Sequence, residues 1–151
     1  MKHYILICDY GLDDAAATVE LFGKKTAQDR VDILPVGGNM PLSKTAENAR
    51  ILLSHLGERA EGVRLVDTSC IVQPEESLPS IHGTDGMGDC LAPKPLFGVP
   101  TLSLKEWEQS LTGEEILISL GPLTLPAYLL KEHRFSRFLF MGGNVAEEPN
   151  F

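Results

Sequence analysis

The stretch that decides the fold is Tyr4-Ile5-Leu6-Ile7-Cys8-Asp9-Tyr10-Gly11-Leu12-Asp13-Asp14. Residues 4–8 form an apolar run, which is typical of a parallel strand that is buried on both faces. Gly11 interrupts the run, and apolar residues then recur at the spacing of a helix over residues 13–22, namely Ala15, Ala16, Val19 and Phe22. The stretch predicts a buried strand that passes through an acidic turn directly into a helix.

The rest of the chain continues this alternation of strands and helices. We predict further strands at residues 31–36, 63–66, 115–120 and 137–141, and further helices at residues 41–56, 104–111 and 123–132. Such alternation favours a Rossmann-like α/β fold, a mostly parallel sheet with helices on both faces. Residues 68–100 are rich in Pro and Gly and predict a long loop. We expect residues 1–151 to form a single α/β domain.

The composition of the 151 residues is that of an ordinary globular protein, because 43% of them are hydrophobic. The formal net charge of −8 argues against a nucleic-acid-binding surface, which needs clustered Lys and Arg. The first apolar run is too short for a signal peptide or a membrane span, so we expect a cytoplasmic protein that does not bind membranes. Cys8, Cys70 and Cys90 form no CxxC pair and indicate neither a disulfide framework nor a zinc site; Cys8 is expected to be buried.

Polar or glycine-rich segments follow three of the predicted strands. They are residues 9–14, residues 37–39 and residues 121–124. Because ligands of parallel sheets bind at the carboxyl ends of the strands, we expect the three segments to converge on one edge of the sheet.

The acidic turn brings Asp9, Asp13 and Asp14 close together, and three carboxylates repel one another unless a positive charge lies among them. A hard divalent cation with oxygen ligands fits this arrangement. The alternative is that Asp13 or Asp14 caps the following helix, whose N-terminus favours negative charge. Capping needs only one aspartate, so the pattern favours a metal or catalytic site.

Five motifs in this sequence resemble, in order, those of the nucleoside hydrolases, also called inosine-uridine preferring nucleoside hydrolases. The acidic turn is similar to the family's Asp-x-Asp-Pro-Gly-x-Asp-Asp-Ala signature. The other four matches are Val36-Gly37-Gly38-Asn39 followed by Thr45, Asn48 and Ala49; Ile81-His82-Gly83-Thr84-Asp85-Gly86-Met87-Gly88; Gly121-Pro122-Leu123-Thr124; and Met141-Gly142-Gly143. Together they extend over nearly the whole chain.

The resemblance implies an enzyme of purine and pyrimidine salvage that hydrolyses the N-glycosidic bond of ribonucleosides to ribose and free base with a calcium-bound water. It implies that Asp9 ligates calcium and acts as general base, and that Asp14 and the backbone carbonyl of Thr124 are further ligands. Ribose would be bound by Asp13 and Asn39, and His82 would line the pocket near the base. The ribose-binding Glu-Phe-Asn stretch of the family has a compressed counterpart here, which assigns 5′-side contacts to Glu148 and Asn150.

Three of these residues have simpler alternative roles. Asn39 precedes Met40-Pro41 and is also suited to be a helix N-cap. His82, in a glycine-rich loop, is also compatible with an ordinary surface residue, as we expect for His3, His55 and His133. Thr124 is suited to cap the helix that follows it.

The sequence departs from the family at two positions and in length. Ile7 stands where the signature has its first Asp, and Tyr10 stands where it has Pro. Family members are about twice as long, and a further calcium-binding Asp lies in their other half. The alternative function is therefore a truncated or degenerate, non-catalytic relative that binds nucleosides or assembles with a partner. Strands left unpaired at an edge favour self-association, so we also expect a homo-oligomer.

A phospho-receiver domain is a competing interpretation of the same architecture, with Asp67 as its phosphorylated residue. That class needs a Lys after the fifth strand, where this chain has Met141-Gly142-Gly143. A haloacid-dehalogenase-like phosphatase needs Asp-x-Asp after the first strand, and Asp9-Tyr10-Gly11 does not match. Both classes are rejected.

Overall fold

The computed structural model describes residues 1–71, 79–90 and 98–143. Its centre is a six-stranded sheet in which every neighbouring pair is parallel. The strands are β1 (His3–Cys8), β2 (Arg30–Pro35), β3 (Arg64–Asp67), β4 (Thr101–Ser103), β5 (Ile116–Ser119) and β6 (Arg137–Phe140). The helices are α1 (Leu12–Lys24), α2 (Leu42–Leu56), the 3₁₀ turn Gly57–Ala60, α3 (Pro79–His82), α4 (Leu104–Glu108) and α5 (Thr124–Glu132).

The order of the strands across the sheet is β4-β3-β2-β1-β5-β6. The chain builds outward from β1 to β4 and then returns to the other side of β1 to form β5 and β6. The strand order therefore reverses between β1 and β5, and in open parallel sheets the crevice for a ligand lies outside the carboxyl ends of the strands at this point. The acidic turn follows β1 and residues 121–124 follow β5, so the topology puts both at this crevice.

The core lies on both faces of the sheet, as predicted for a doubly buried strand. Leu6 and Cys8 of β1 pack in one cluster with residues of α1 and α2, while Ile5 and Ile7 pack in a second cluster with residues of α4 and α5. Cys8 is fully buried, as expected. Helices thus cover both faces, and the Rossmann-like α/β prediction is confirmed. Within the described ranges no helix combines the length and apolar character that a membrane crossing requires.

The predicted elements agree with the structure except at β4, at the end of α4 and at the short helix α3, which lies within the predicted loop. The strand β4 was not predicted, because its three residues are too few to show a pattern and they border the Pro-rich region that was assigned to a loop. The helix α4 ends at Glu108 rather than at residue 111. The end of α2 was predicted correctly, since Gly57 adopts a φ of 56°, a left-handed conformation that glycine tolerates.

The buried face of α1 differs from the predicted apolar one. Val19 is 45% exposed, whereas Asp14, Thr18 and Phe22 are the buried residues. These three recur every fourth position and so share one side of the helix. Two polar side chains therefore face the sheet in a position that apolar periodicity does not reveal.

A buried ionic network joins the amino ends of β1, β2 and β3. The Asp32 carboxylate, 1% exposed, accepts hydrogen bonds from His3 Nε2 at 2.7 Å, Arg64 Nε at 2.7 Å and Trp107 Nε1 at 2.8 Å. Burial acts to raise the pKa of Asp32, but these hydrogen bonds outweigh it and lower the pKa to about 2. His3 was predicted to lie on the surface; that prediction was wrong, because its ring fills the space between Asp32 and Glu115.

We predict that Asp32→Asn lowers the free energy of unfolding by about 3 kcal/mol at neutral pH, because the buried carboxylate is lost and the half-buried Arg64 guanidinium loses its charged partner. The folded-state pKa of Asp32 lies below the ordinary value of 3.8. Its contribution is therefore fully present above about pH 5 and is lost as the pH falls toward about 2. Urea unfolding of the wild type and the variant between pH 7 and pH 2 measures both effects.

The matched control is Glu20→Gln, which removes an exposed ion pair with Lys24 on α1. We expect it to leave the unfolding free energy nearly unchanged, because solvent screens this exposed ion pair. Equal losses in the two variants would contradict the assigned role of Asp32.

Candidate functional site

The three polar segments meet at the carboxyl ends of β1, β2 and β5, as the sequence predicted. Asp9 follows β1, and its Oδ2 accepts a hydrogen bond of 2.9 Å from the backbone N–H of Asn39, which follows β2. Gly121, after β5, approaches so closely that a Cβ there would lie 3.2 Å from the Asp9 nitrogen. The crevice between β1 and β5 is thus lined by all three segments.

Asp9 and Asp14 form a buried carboxyl pair at the centre of this crevice. Asp9 is 6% exposed and Asp14 is fully buried, and the two carboxyl groups are close enough for each to influence the pKa of the other. Burial raises the pKa of Asp9 in spite of the hydrogen bond from Asn39. Burial, followed by the negative charge of Asp9, raises the pKa of Asp14 to about 8. The pair therefore resists carrying two negative charges unless a cation compensates them.

The two oxygens of Asp14 have different surroundings. Oδ2 accepts a hydrogen bond of 2.9 Å from the backbone N–H of Gly11, the N-cap residue of α1. Oδ1 is buried and has no hydrogen-bond partner within the described part of the chain. The capping alternative is therefore correct for one oxygen, and it leaves the other available to a ligand.

Gly38 fixes how closely the loop after β2 approaches the carboxyl pair. A Cβ at this position would meet Asp9 Cγ at 2.9 Å and Asp9 Oδ2 at a still shorter distance. Real Cβ atoms do not tolerate such contacts, so any other residue here must displace the Asp9 carboxylate or the loop. Glycine at position 38 follows from the site geometry.

Gly11 is surrounded by three of the predicted substrate-binding side chains. A Cβ at Gly11 would lie 2.7 Å from His82 Nδ1, 2.8 Å from Asn39 Nδ2 and 2.8 Å from Asp13 Oδ1. The structure therefore brings His82, Asn39 and Asp13 together beside the carboxyl pair. Asn39 is not a helix cap, since α2 begins at Leu42 and its N-cap residue is Pro41.

The glycine-rich loop after α3 is built to hold His82 against this site. The Nδ1 atom of His82 is buried and has no hydrogen-bond partner among the described residues, unlike the ring nitrogens of an ordinary surface histidine. The loop is closed by Asp89 Oδ1, which accepts from the Thr84 hydroxyl at 2.8 Å, so Asp89 has the predicted structural role of a loop residue. Asn48 of α2 donates to the Asp85 carbonyl at 2.8 Å and ties the loop to the core.

For the remaining predicted site residues, the described part of the chain shows no side-chain contact with Asp9 or Asp14. Thr124 is the first residue of α5; it is exposed and is not the N-cap, which is Leu123. Glu148 and Asn150 lie outside the described residues.

The carboxylate oxygens of Asp9 and Asp14 supply some, but not all, of the ligands that a hard cation needs. Two carboxylates meet, and one buried oxygen lacks a partner, which suits a cation that binds oxygen ligands. No group of three His, Cys, Asp or Glu side chains in the described ranges is arranged to hold a metal by itself. A cation at this pair would therefore take its further ligands from backbone carbonyls, water, substrate or other chain segments.

Two features of the site were missed from the sequence. Tyr10, which replaces the family's Pro, is fully buried and has a φ of 44°, a left-handed conformation that is rare for a residue with a bulky side chain. Thr18 is also fully buried. The signal for Thr18 was present in its position, four residues after Asp14 and on the same side of the helix.

Comparison with known proteins identifies the family of this chain. The family model of the inosine-uridine preferring nucleoside hydrolases matches residues 4–151. The pyrimidine-specific ribonucleoside hydrolase RihA of Shewanella baltica is 29% identical, and the alignment covers 94% of this chain and 47% of RihA. The non-specific ribonucleoside hydrolase RihC of Salmonella paratyphi A is 30% identical, and the alignment covers 95% of this chain and 49% of RihC.

Solved structures show the same fold. The purine-preferring ribonucleoside hydrolase from Gardnerella vaginalis aligns with a TM-score of 0.71 at 23% identity, over 95% of this chain and 49% of that one. The plant nucleoside hydrolase PpNRh1 aligns with a TM-score of 0.69, also at 23% identity, over 95% and 48%. The chain spans about half the length of the relatives it matches. With five ordered motifs, the carboxyl pair at the β1–β5 crevice and a family match over residues 4–151, this chain belongs to the inosine-uridine preferring nucleoside hydrolase family.

Proposed function

We propose that this chain carries the N-terminal part of a calcium-dependent ribonucleoside hydrolase, which cleaves the N-glycosidic bond to give ribose and free base. The observation that carries the proposal is the buried Asp9–Asp14 pair at the β1–β5 crevice, with Asn39, Asp13 and His82 beside it. A buried pair of acids with raised pKa values in a crevice is a common mark of a functional site. The residues 1–151 are proposed to act as one α/β unit.

Calcium is the proposed cofactor because it binds carboxylate and carbonyl oxygens. Asp9, Asp14 and the backbone carbonyl of Thr124 would hold it. When bound, calcium supplies positive charge that lowers the pKa of an attacking water and orients the ribose diol. The unpartnered Asp14 Oδ1 supports this assignment.

The side chains of the chain itself would carry out the proton transfers. Asp9 is held by the Asn39 N–H and would accept a proton from the attacking water. The oxygen of that water would at the same time bond to the anomeric carbon of the ribose. The glycosidic bond breaks, and the base leaves with the bonding electrons and takes up a proton from solvent, while Asp9 returns its proton to solvent and is ready for the next turnover. Asp13 and Asn39 would bind ribose hydroxyls, His82 would contact the base, and Glu148 and Asn150 would contact the 5′ side.

The alternative is a non-catalytic relative that binds nucleosides or assembles with a partner. The burial of Ile7 favours it, because an apolar side chain with no exposed surface supplies no hydrogen bond to its neighbours.

We also propose a cytoplasmic role in nucleoside salvage and a homo-oligomer. Exposed apolar residues at the end of the edge strand β6 and just after it support self-association: Leu139, Phe140 and Met141 are 46%, 55% and 54% exposed. Sedimentation measures the oligomeric state. A dimer with a Kd of about 10 μM would be largely formed at a chain concentration of about 100 μM, so finding only monomers up to that concentration would rule this oligomer out.

We predict that the purified chain with calcium releases ribose from inosine or uridine, and that Asp9→Ala lowers kcat by about 100-fold or more. The physical reason is the loss of both the proton acceptor and a cation ligand. A reducing-sugar assay measures the product, and Glu20→Gln on the exposed face of α1 is the control that retains full activity.

A folded wild-type chain that binds a nucleoside without releasing ribose would favour the non-catalytic alternative. Equal activity of the wild type and Asp9→Ala would contradict the role of Asp9.

We predict that Gly38→Ala weakens calcium binding by about 10-fold or more, because the added methyl group displaces the Asp9 carboxylate. The matched control is Gly23→Ala in α1, where a Cβ meets no atom within 4 Å. That control should bind calcium normally and gain about 0.5–1 kcal/mol of stability from helix propensity. Calorimetric titration measures the affinities, and equal affinities in both variants would contradict the close approach of this loop.

A further inference from the structure

A buried asparagine attaches the loop of residues 83–90 to helix α2. Asn48 is 2% exposed, and its Nδ2 donates a hydrogen bond of 2.8 Å to the backbone carbonyl of Asp85. The two residues are 37 positions apart, so the bond joins distant parts of the chain. A buried amide is stable only when it is hydrogen-bonded, and Asn48 therefore favours one position of the loop.

The next two residues of the loop fit closely against the same helix and the turn before it. A Cβ at Gly86 would lie 3.2 Å from Asn48 Nδ2 and 2.5 Å from Cγ of Met40. Gly86 has a φ of 81°, a conformation that glycine adopts readily. Met87 is 1% exposed and packs in the core cluster that contains residues of α2. The loop corner, residues 85–87, is thus docked on α2.

Hydrogen bonds within the loop connect this corner to His82. Asp85 Oδ1 accepts from the backbone N–H of Met87 at 2.7 Å. The next residue, Gly88, donates its backbone N–H to the His82 carbonyl at 2.7 Å. Gly88 also lies against α1, since a Cβ there would be 3.0 Å from Leu12 Cδ2. A series of short contacts therefore runs from α2 to the backbone of His82.

The ring of His82 takes its position from this backbone. Its Nδ1 is buried and has no hydrogen-bond partner in the described part of the chain. A Cβ at Gly11 would lie 2.7 Å from this Nδ1, so the ring faces the turn between β1 and α1. Since Nδ1 is not held by a hydrogen bond from the described residues, the position of the ring follows from that of the loop.

We propose that Asn48 is a positioning residue for His82: by holding the loop corner on α2, its amide keeps the imidazole beside Gly11 and Asn39. The inference rests on the proposed function, in which His82 contacts the base of the nucleoside. Asn39 lies shortly before α2, which begins at Leu42, so one helix sets the positions of both site residues. A displacement of about 1 Å in such a site can cost about 100-fold in rate.

Asn48 should affect the nucleoside and the cation differently. The Asp9 and Asp14 carboxylates accept hydrogen bonds from the backbone N–H groups of Asn39 and Gly11. The amide of Asn48 donates to the loop corner instead. Loss of that amide should therefore weaken the binding of a nucleoside and leave the carboxyl pair in place.

The test measures KM for inosine in the ribose-release assay and calcium affinity by calorimetry. Asn48→Leu removes the donor at similar side-chain size, and Gly86→Ala displaces the loop corner from the other side of the contact. We expect both variants to raise KM by about 10-fold or more and to keep calcium affinity within about threefold. The control is Thr45→Val, which removes a fully buried hydroxyl that bonds to the Leu42 carbonyl within α2 and should leave both quantities unchanged.

The loop variant keeps the test decisive if Asn48→Leu does not fold, because Gly86 lies outside the helices and strands. A wild-type KM in the folded variants, or an equal rise in Thr45→Val, would overturn the proposal. Equal losses of inosine and calcium affinity would indicate a general loosening of the site and would also overturn it.

A second measurement, without calcium or nucleoside, separates this inference from the proposed function. The ring Cε1–H resonance of His82 should move in Asn48→Leu and Gly86→Ala and stay in place in Thr45→Val. If the wild type releases no ribose and the resonance still moves only in the first two variants, the positioning role stands and the proposed function fails. A resonance that stays in place in Asn48→Leu and Gly86→Ala overturns the positioning role whatever the activity.

Discussion

The site depends on two carboxyl groups that the chain forces into one buried space. Asp9 directly follows β1 and Asp14 lies in the first turn of α1, so the short connection between strand and helix sets their separation. Burial raises both pKa values, and each charge opposes the other. Such a pair is a cost to the fold unless it is compensated by a proton or a cation. The surrounding glycines at positions 38 and 121 allow two other loops to close on it. Unfavourable charge together with a backbone that only glycine permits is characteristic of a functional site, where rules that favour stability are broken locally.

The fold separates the parts that stabilise the sheet from the parts that bind. At the amino ends of the strands, Asp32 is fully satisfied by His3, Arg64 and Trp107, and its pKa is lowered to about 2. At the carboxyl ends, Asp14 keeps an oxygen without a partner and has its pKa raised to about 8. Both are buried aspartates of one sheet, yet their surroundings move their pKa values in opposite directions. The contrast follows from the number of donors that surround each carboxylate.

The sequence predicted the fold and the convergence of the site well, because both follow from hydrophobic runs and from the rule that ligands bind at the carboxyl ends of parallel strands. The acidic turn, the loop at Asn39 and the His82 loop meet as expected. The strand β4 was missed because three residues carry no periodicity. The buried role of His3 was missed for a different reason: it is a single polar residue whose partners, Asp32 and Glu115, come from distant parts of the sequence. Local pattern carries no information on such contacts.

The central claim is that the Asp9–Asp14 pair is a calcium site. The most direct measurement is a crystal structure of the chain grown with calcium, with anomalous data collected to locate the ion. The account predicts one anomalous peak between the Asp9 and Asp14 carboxylates, about 2.3–2.6 Å from an oxygen of each. An intact fold with no peak at this pair, or with calcium bound only elsewhere, would contradict it.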